Sequence, residues 1–167
     1  MKLLVSGLFG QAIKAATVGA ALMLSMSVSN AQSSSPFAGF DGSWSGNGTV
    51  SLSDGSTERI RCRADYKVDG GGTALKQALR CASDSYKFDL SSNVHNEGDR
   101  IVGTWGEASR NINGNLQGTA GGGHIEVFVE AAGFAAVISL TTRGNKQSVS
   151  ITSKGEIRSV SINMVRG

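Results

Sequence analysis

Along residues 58–68 the apolar and small residues Ile60, Cys62, Ala64, Tyr66 and Val68 occupy even positions, while Arg59, Arg61, Arg63, Asp65 and Lys67 occupy odd ones. A period of two is the signature of a strand with one face turned to a core. The next arm alternates with the opposite parity: Leu75, Gln77, Leu79 and Cys81 are odd, Lys76 and Arg80 even. Between the arms runs Asp69-Gly70-Gly71-Gly72-Thr73, a composition suited to a turn. A hairpin folded about the Gly71/Gly72 midpoint brings together residues whose numbers add to 143, and Cys62 with Cys81 is such a pair. Because that number is odd, even residues of the first arm face odd residues of the second, and both sulfurs fall on the apolar side. The pattern predicts a Cys62–Cys81 disulfide between directly facing residues. The same register opposes Arg63 to Arg80 and Lys67 to Lys76, like-charge pairs that cost a little stability unless solvent or Asp65 relieves them.

The alternation continues to the C-terminus. Tyr86, Phe88, Leu90 and Val94 share one face, then Ile101, Gly103 and Trp105, then Ile112, Leu116 and Ala120, then Ile125, Val127 and Val129. Phe134, Ala136, Ile138 and Leu140 follow, and Val149 and Ile151 answer Val160, Ile162 and Met164. Glycine, asparagine and aspartate punctuate the chain about every ten residues, predicting strands over 43–52, 57–68, 74–83, 86–95, 99–108, 112–120, 123–130, 133–142, 146–153 and 156–166. The expected fold is all-β: an up-and-down antiparallel meander of eight to ten strands, closed or partly closed into a barrel that removes its own edges. A curled sheet or a sandwich is the second choice. Glycines inside strands, such as Gly103, Gly114 and Gly118, read as bends at barrel corners. Gly121-Gly122-Gly123 precedes a strand rather than a helix, which is the wrong context for a phosphate loop.

The first 31 residues change the picture of charge and location. Lys2 and Lys14, the apolar stretch Ala15–Val28 and the terminal Ser29-Asn30-Ala31 have the order of a secretory signal, with cleavage expected after Ala31. The apolar stretch is short of the ~20 residues a spanning helix needs. Residues 32–38, Gln-Ser-Ser-Ser-Pro-Phe-Ala, are expected to form a flexible N-terminal arm, and 39–167 a single domain. Export to a bacterial periplasm or beyond would suit the disulfide. Without Lys2 and Lys14 the chain retains 14 basic and 13 acidic side chains, so a generally basic nucleic-acid surface is not expected. What remains is a local patch, Arg59, Arg61, Arg63 and Arg80. It reads as a solvated face, or as a surface for an anion such as lipopolysaccharide or phosphate.

Phe40-Asp41-Gly42-Ser43-Trp44 resembles the Gly-x-Trp opening of the calycin group: lipocalins, avidin-like proteins and bacterial metalloprotease inhibitors. The lipocalin likeness implies a tryptophan closing one barrel end, with a late arginine, Arg166 or Arg158, packed across Trp44. The inhibitor likeness implies an early disulfide and a functional N-terminal arm. Trp44-Ser45-Gly46, Glu58-Arg59-Ile60-Arg61-Cys62 and Gly103-Thr104-Trp105-Gly106-Glu107 also resemble motifs of small exported alphaproteobacterial proteins without assigned activity.

Catalytic signals are sparse. A disulfide removes the cysteines as nucleophiles, and no serine has the context of a hydrolase elbow. His95 reads as a turn residue. His124 with Glu126 offers two ligands on one strand, fewer than a structural metal site needs. Glu107 and Glu58 have inward parity near strand ends, where a carboxylate needs a partner such as Arg110. The sequence therefore predicts an exported binding protein with no catalysis, no metal and no cofactor. Its expected partner is a small apolar molecule or an envelope component, lined by Tyr66, Phe88, Leu90, Trp105 and Leu116, with Glu107 as a polar contact. The alternative is a protein-interaction module, such as a protease inhibitor or envelope-assembly factor. Neither nucleic acid nor a membrane span is expected, and the pattern assigns no oligomeric state.

Overall fold

The computed structural model describes residues 35–167, so the predicted signal, 1–31, and the first part of the predicted arm lie outside the described residues. Ten strands follow one another: β1 (Gly42–Leu52), β2 (Thr57–Asp69), β3 (Ala74–Ala82), β4 (Lys87–Glu97), β5 (Arg100–Glu107), β6 (Ile112–Gly121), β7 (His124–Ala131), β8 (Phe134–Arg143), β9 (Lys146–Ser153) and β10 (Ile157–Arg166). Each pairs antiparallel with its sequence neighbours, and β10 returns to pair with β1, so the sheet is a closed barrel. That last pairing decides between the barrel and the open alternatives.

The β2–β3 hairpin has the register its parity requires. Cys62 faces Cys81, Arg63 faces Arg80 and Lys67 faces Lys76. Gly70–Gly72 make a short turn, and Gly71, at φ 67°, occupies the left-handed region that glycine enters without a Cβ penalty. The disulfide joins Cys62 to Cys81 with Cα atoms 4.1 Å apart. The like charges are relieved differently from expectation: Lys67 reaches Asp69 at 3.8 Å and Arg80 reaches Asp89 on β4 at 3.5 Å. Asp65 instead accepts a hydrogen bond from the Ser43 hydroxyl at 2.5 Å.

Inward residues form one core, with Ile60, Ala64, Ile101, Ile162 and Met164 almost fully buried. Where the sheet must bend, glycine replaces a side chain. At Gly114 a Cβ would lie 1.8 Å from the Glu130 carbonyl and 2.8 Å from the Trp105 indole nitrogen. The strand can approach its neighbour, and leave room for Trp105, only without that carbon.

The two barrel ends differ. Before β1, residues 35–40 turn across one end and place Phe37 and Phe40 in the core, both at 0% exposure. Burial of such rings stabilises by about 1.5–3 kcal/mol each. Trp44 is 1% exposed, its indole N–H donates to the Phe40 carbonyl at 2.9 Å, and the Arg166 guanidinium lies 4.6 Å over its ring. Arg166 also donates to the Gly39 carbonyl, while the Asp41 carboxylate accepts from the Val68 amide at 2.9 Å. Of the two arginines considered for this position, Arg166 occupies it. Arg158 instead donates to the Lys154 carbonyl on the β9–β10 turn.

Candidate functional site

At the end opposite this plug the barrel is open and apolar. In a filled barrel all inward side chains would be buried, yet Phe88, Leu90, Trp105, Phe134, Ile138, Ile151 and Ile157 are only partly so. The space they leave is a chamber of about 230 Å³ at the open end, with Tyr86, Arg110 and Glu156 among the residues at its mouth. Deeper in the barrel, toward Phe37, lies a second chamber of about 70 Å³. Leu79, Leu90, Trp105, Val129, Ile138 and Ile151 line both, so the two chambers abut. The outer volume lies just below the ~300–1,000 Å³ typical of drug-sized sites. It suits a short chain or a single small ring.

The predicted lining residues divide between the chambers. Phe88 and Glu107 border the outer one, Tyr66 and Leu116 the inner one, and Leu90 and Trp105 both. Trp105 is held by its indole N–H, which donates to the Glu130 carbonyl at 3.3 Å, and packs against Phe134 with ring centroids 5.5 Å apart.

Glu107, expected as a polar contact, is engaged by backbone amides of its own turn and of β4. One carboxylate oxygen accepts from the Asp89 and Ser109 amides at 3.0 and 3.1 Å, the other from the Arg110 amide at 2.8 Å. Burial alone would raise its pKa, but these donors together hold the carboxyl below its ordinary range. The Arg110 guanidinium lies 3.6 Å from Glu107 and 5.0 Å over the Phe88 ring, with 40% of its side chain exposed. Glu107 thus shapes the β5–β6 turn, while Arg110 is the cation presented at the mouth. Parity reading missed Arg110 as a site residue because alternation ends at the turn.

The rest of the rim is acidic and aromatic. Tyr86 stacks on Phe88 and its hydroxyl donates to Glu156 at 3.1 Å. Glu58 accepts from the Ser83 hydroxyl at 2.6 Å, which holds its pKa low, so it serves the β3–β4 turn rather than pairing with a cation.

Bordering the inner chamber runs a polar row, in which sequence parity marks Tyr66 and Gln77 as inward but does not single out their partners Gln147, Thr142 and Ser92. The Tyr66 hydroxyl donates to Gln147 Oε1 at 2.9 Å, and Gln147 Nε2 donates to the Thr142 hydroxyl at 3.0 Å. On the other side Gln77 Nε2 approaches the Tyr66 hydroxyl at 3.5 Å, and the Ser92 hydroxyl donates to Gln77 Oε1 at 3.1 Å. Burial pushes the Tyr66 phenol well above its ordinary range, so it stays neutral. Its traces in the sequence are Tyr66 and Gln77 at inward positions.

The remaining predicted residues lie elsewhere. Arg59, Arg61, Arg63 and Arg80 are exposed on the outer wall of β2 and β3, side by side with Thr49, Asn47 and Ser45 of β1. His124 is exposed, with Nδ1 3.0 Å from the Thr141 hydroxyl, and His95 contacts Glu97 at 3.1 Å. Of the predicted arm, Phe37 is seated in the core and the Ser35 hydroxyl donates to the Gly72 carbonyl at 2.5 Å.

No protein-family model matches the chain, and no curated protein matches it either. Solved structures do. The crystal structure of Rv2717c from M. tuberculosis aligns with a TM-score of 0.62 at 15% identity, covering 80% of this chain and 94% of that one. The S-type phycobiliprotein lyase CPES from Guillardia theta aligns with a TM-score of 0.52 at 12% identity, covering 76% and 88%. Both share the ten-stranded barrel architecture. The expectation of a protein without catalysis is corrected here: the same barrel architecture carries a protein named as a lyase, so absence of enzymatic activity does not follow from this fold. At these identities the likeness establishes the fold alone, a closed antiparallel barrel of ten strands.

Proposed function

We propose that this chain binds a small apolar or amphipathic molecule inside the open end of its barrel, with Arg110 meeting the ligand's polar or anionic end. One observation carries the reading: an apolar chamber of about 230 Å³, open at one end, in a barrel whose other end is plugged by aromatic side chains. An enclosed apolar wall with one convergent cation is the usual form of a small-molecule site. Such a site is the common requirement of a carrier and of an enzyme. Phe37 in the core commits the end of the predicted arm to the barrel, which favours the interior over an arm-based inhibitor.

The expected setting is the periplasm or the exterior. The signal-like residues 1–31 support it, as does the disulfide, which persists in oxidising compartments. Among the described residues no helix is long and apolar enough to cross a membrane.

The test is titration with 6-bromohexanoate while following tryptophan fluorescence. Trp105 borders both chambers, whereas Trp44 sits in the opposite plug and serves as an internal reference. Saturable quenching that disappears when Ile151→Phe fills the chamber is the expected result. Quenching that rises linearly without saturation, in both proteins alike, would refute the site. Native mass spectrometry of protein purified from its own host would then identify a retained ligand.

A further inference from the structure

The deep end of the interior is polar without being charged, and this geometry points to a ligand class. Gln77 and Ser92 lie on neighbouring strands and border the inner chamber, and both are only partly buried although they face inward. A glutamine amide can donate two hydrogen bonds and accept two. Within the protein Gln77 makes one of each: its Nε2 reaches Tyr66 at 3.5 Å and its Oε1 accepts from Ser92 at 3.1 Å. One N–H and one lone pair remain, together with the Ser92 oxygen lone pairs. By contrast Gln147, further along the row, is 3% exposed and held between Tyr66 and Thr142.

Among the described residues no arginine, lysine or histidine borders the inner chamber. A carboxylate placed there would lose its hydration and gain no counter-charge, a large penalty. A hydroxyl, carbonyl or primary amide would lose far less and could pair with Gln77 and Ser92. Among the described residues the cation bordering the interior is Arg110, at the mouth. The two ends therefore select opposite chemistry.

We infer that the inner chamber selects a neutral hydrogen-bonding group, such as an alcohol or primary amide, at the leading end of an apolar ligand, and that any anionic group is left outward at Arg110. This rests on the reading of the barrel interior as a binding site and names the substrate class of that site. Gln77 and Ser92 are the specificity-determining residues.

The experiment compares 1-hexanol and hexanoate at neutral pH by calorimetry on the full chain and on Gln77→Met, a substitution that keeps an unbranched side chain of similar length. Ser92→Ala is the second variant, smaller in its demand on folding. The expected result is a fall in the alcohol-to-carboxylate affinity ratio of ~3–10-fold in each variant, the worth of one neutral hydrogen bond. Equal weakening of both probes would show a packing effect and overturn the inference, as would an unchanged ratio, while the binding site itself would stand. If the unaltered protein bound neither probe, the proposed site and this inference would fall together.

Discussion

Reducing the Cys62–Cys81 bridge releases a loop closed over a sequence separation of 19. In the chain-entropy treatment a loop of that length constrains the unfolded state by ~11 cal/mol/K, or ~3 kcal/mol at 25 °C. The bridged residues already face one another in the β2–β3 ladder, so the native hairpin keeps its hydrogen bonds when the bond is cut. The loss therefore falls on the unfolded state, and the barrel should remain folded but weaker. Taking the usual unfolding entropy of ~2.1 cal/mol/K per residue for ~130 residues, ~3 kcal/mol corresponds to a melting midpoint lower by ~11 °C. Both cysteines are nearly buried, at 5% and 6% exposure, so added reductant reaches them slowly in the native state. The protein is best unfolded in denaturant with a phosphine reductant, refolded in its presence, and melted beside the oxidised protein by circular dichroism. Thiol titration confirms that two thiols are free. A midpoint within 2 °C of the oxidised protein, with both thiols titrated, would refute the reasoning.

Three further outcomes test the plug and the mouth. Phe37→Ala removes a ring at 0% exposure and should destabilise by ~3–5 kcal/mol in denaturant unfolding; a change under 1 kcal/mol would mean that the ring contributes little to the core. Arg166→Met keeps an unbranched stem but loses the cation over Trp44 and the bond to Gly39, so a loss of ~1–2 kcal/mol with a changed Trp44 emission is expected; an unchanged emission spectrum would dissociate the arginine from the indole. Glu107 has a folded pKa below its unfolded value, so its contribution is complete above the unfolded carboxylate range and is lost as pH falls through the folded pKa. Glu107→Gln should accordingly flatten the dependence of stability on pH on the acid side, and a difference curve that is level down to pH 3 would contradict that assignment.

Most of the architecture was written in alternation. Turn residues at ten-residue spacing located every strand within one or two residues, and the cysteine pair set the first register, because a slip of one residue would have put the two sulfurs on opposite faces. The site was less legible, for physical reasons. A cavity is a deficit of side-chain volume summed over many strands, and no local pattern records it. Phe37 stands in a short polar lead-in with no alternation around it, and the lead-in reads as a flexible arm. Arg110 follows a strand end, where period two no longer tells which way a side chain points. Gln77 was visible as inward, but its hydrogen-bond partners, Tyr66 and Ser92, come from strands on either side of its own. Glu107 had the right parity, yet the amides that occupy it, two from its turn and one from Asp89 on β4, belong to backbone, which sequence does not display.

The closing seam joins the first strand to the last, and Arg166 reaches back to Gly39 across 127 residues. During synthesis each strand can join the one before it as soon as the intervening turn emerges, but the edge of β1 that faces away from β2 must wait until β10 is made. Until then the sheet has two unpaired edges, at β1 and at the newest strand, each a template for another chain. Formation of the last ladder carries the largest loop-closure cost of the fold. Loss of even the terminal strand would thus leave not a shortened barrel but an open sheet, prone to self-association, with its interior exposed along the whole seam.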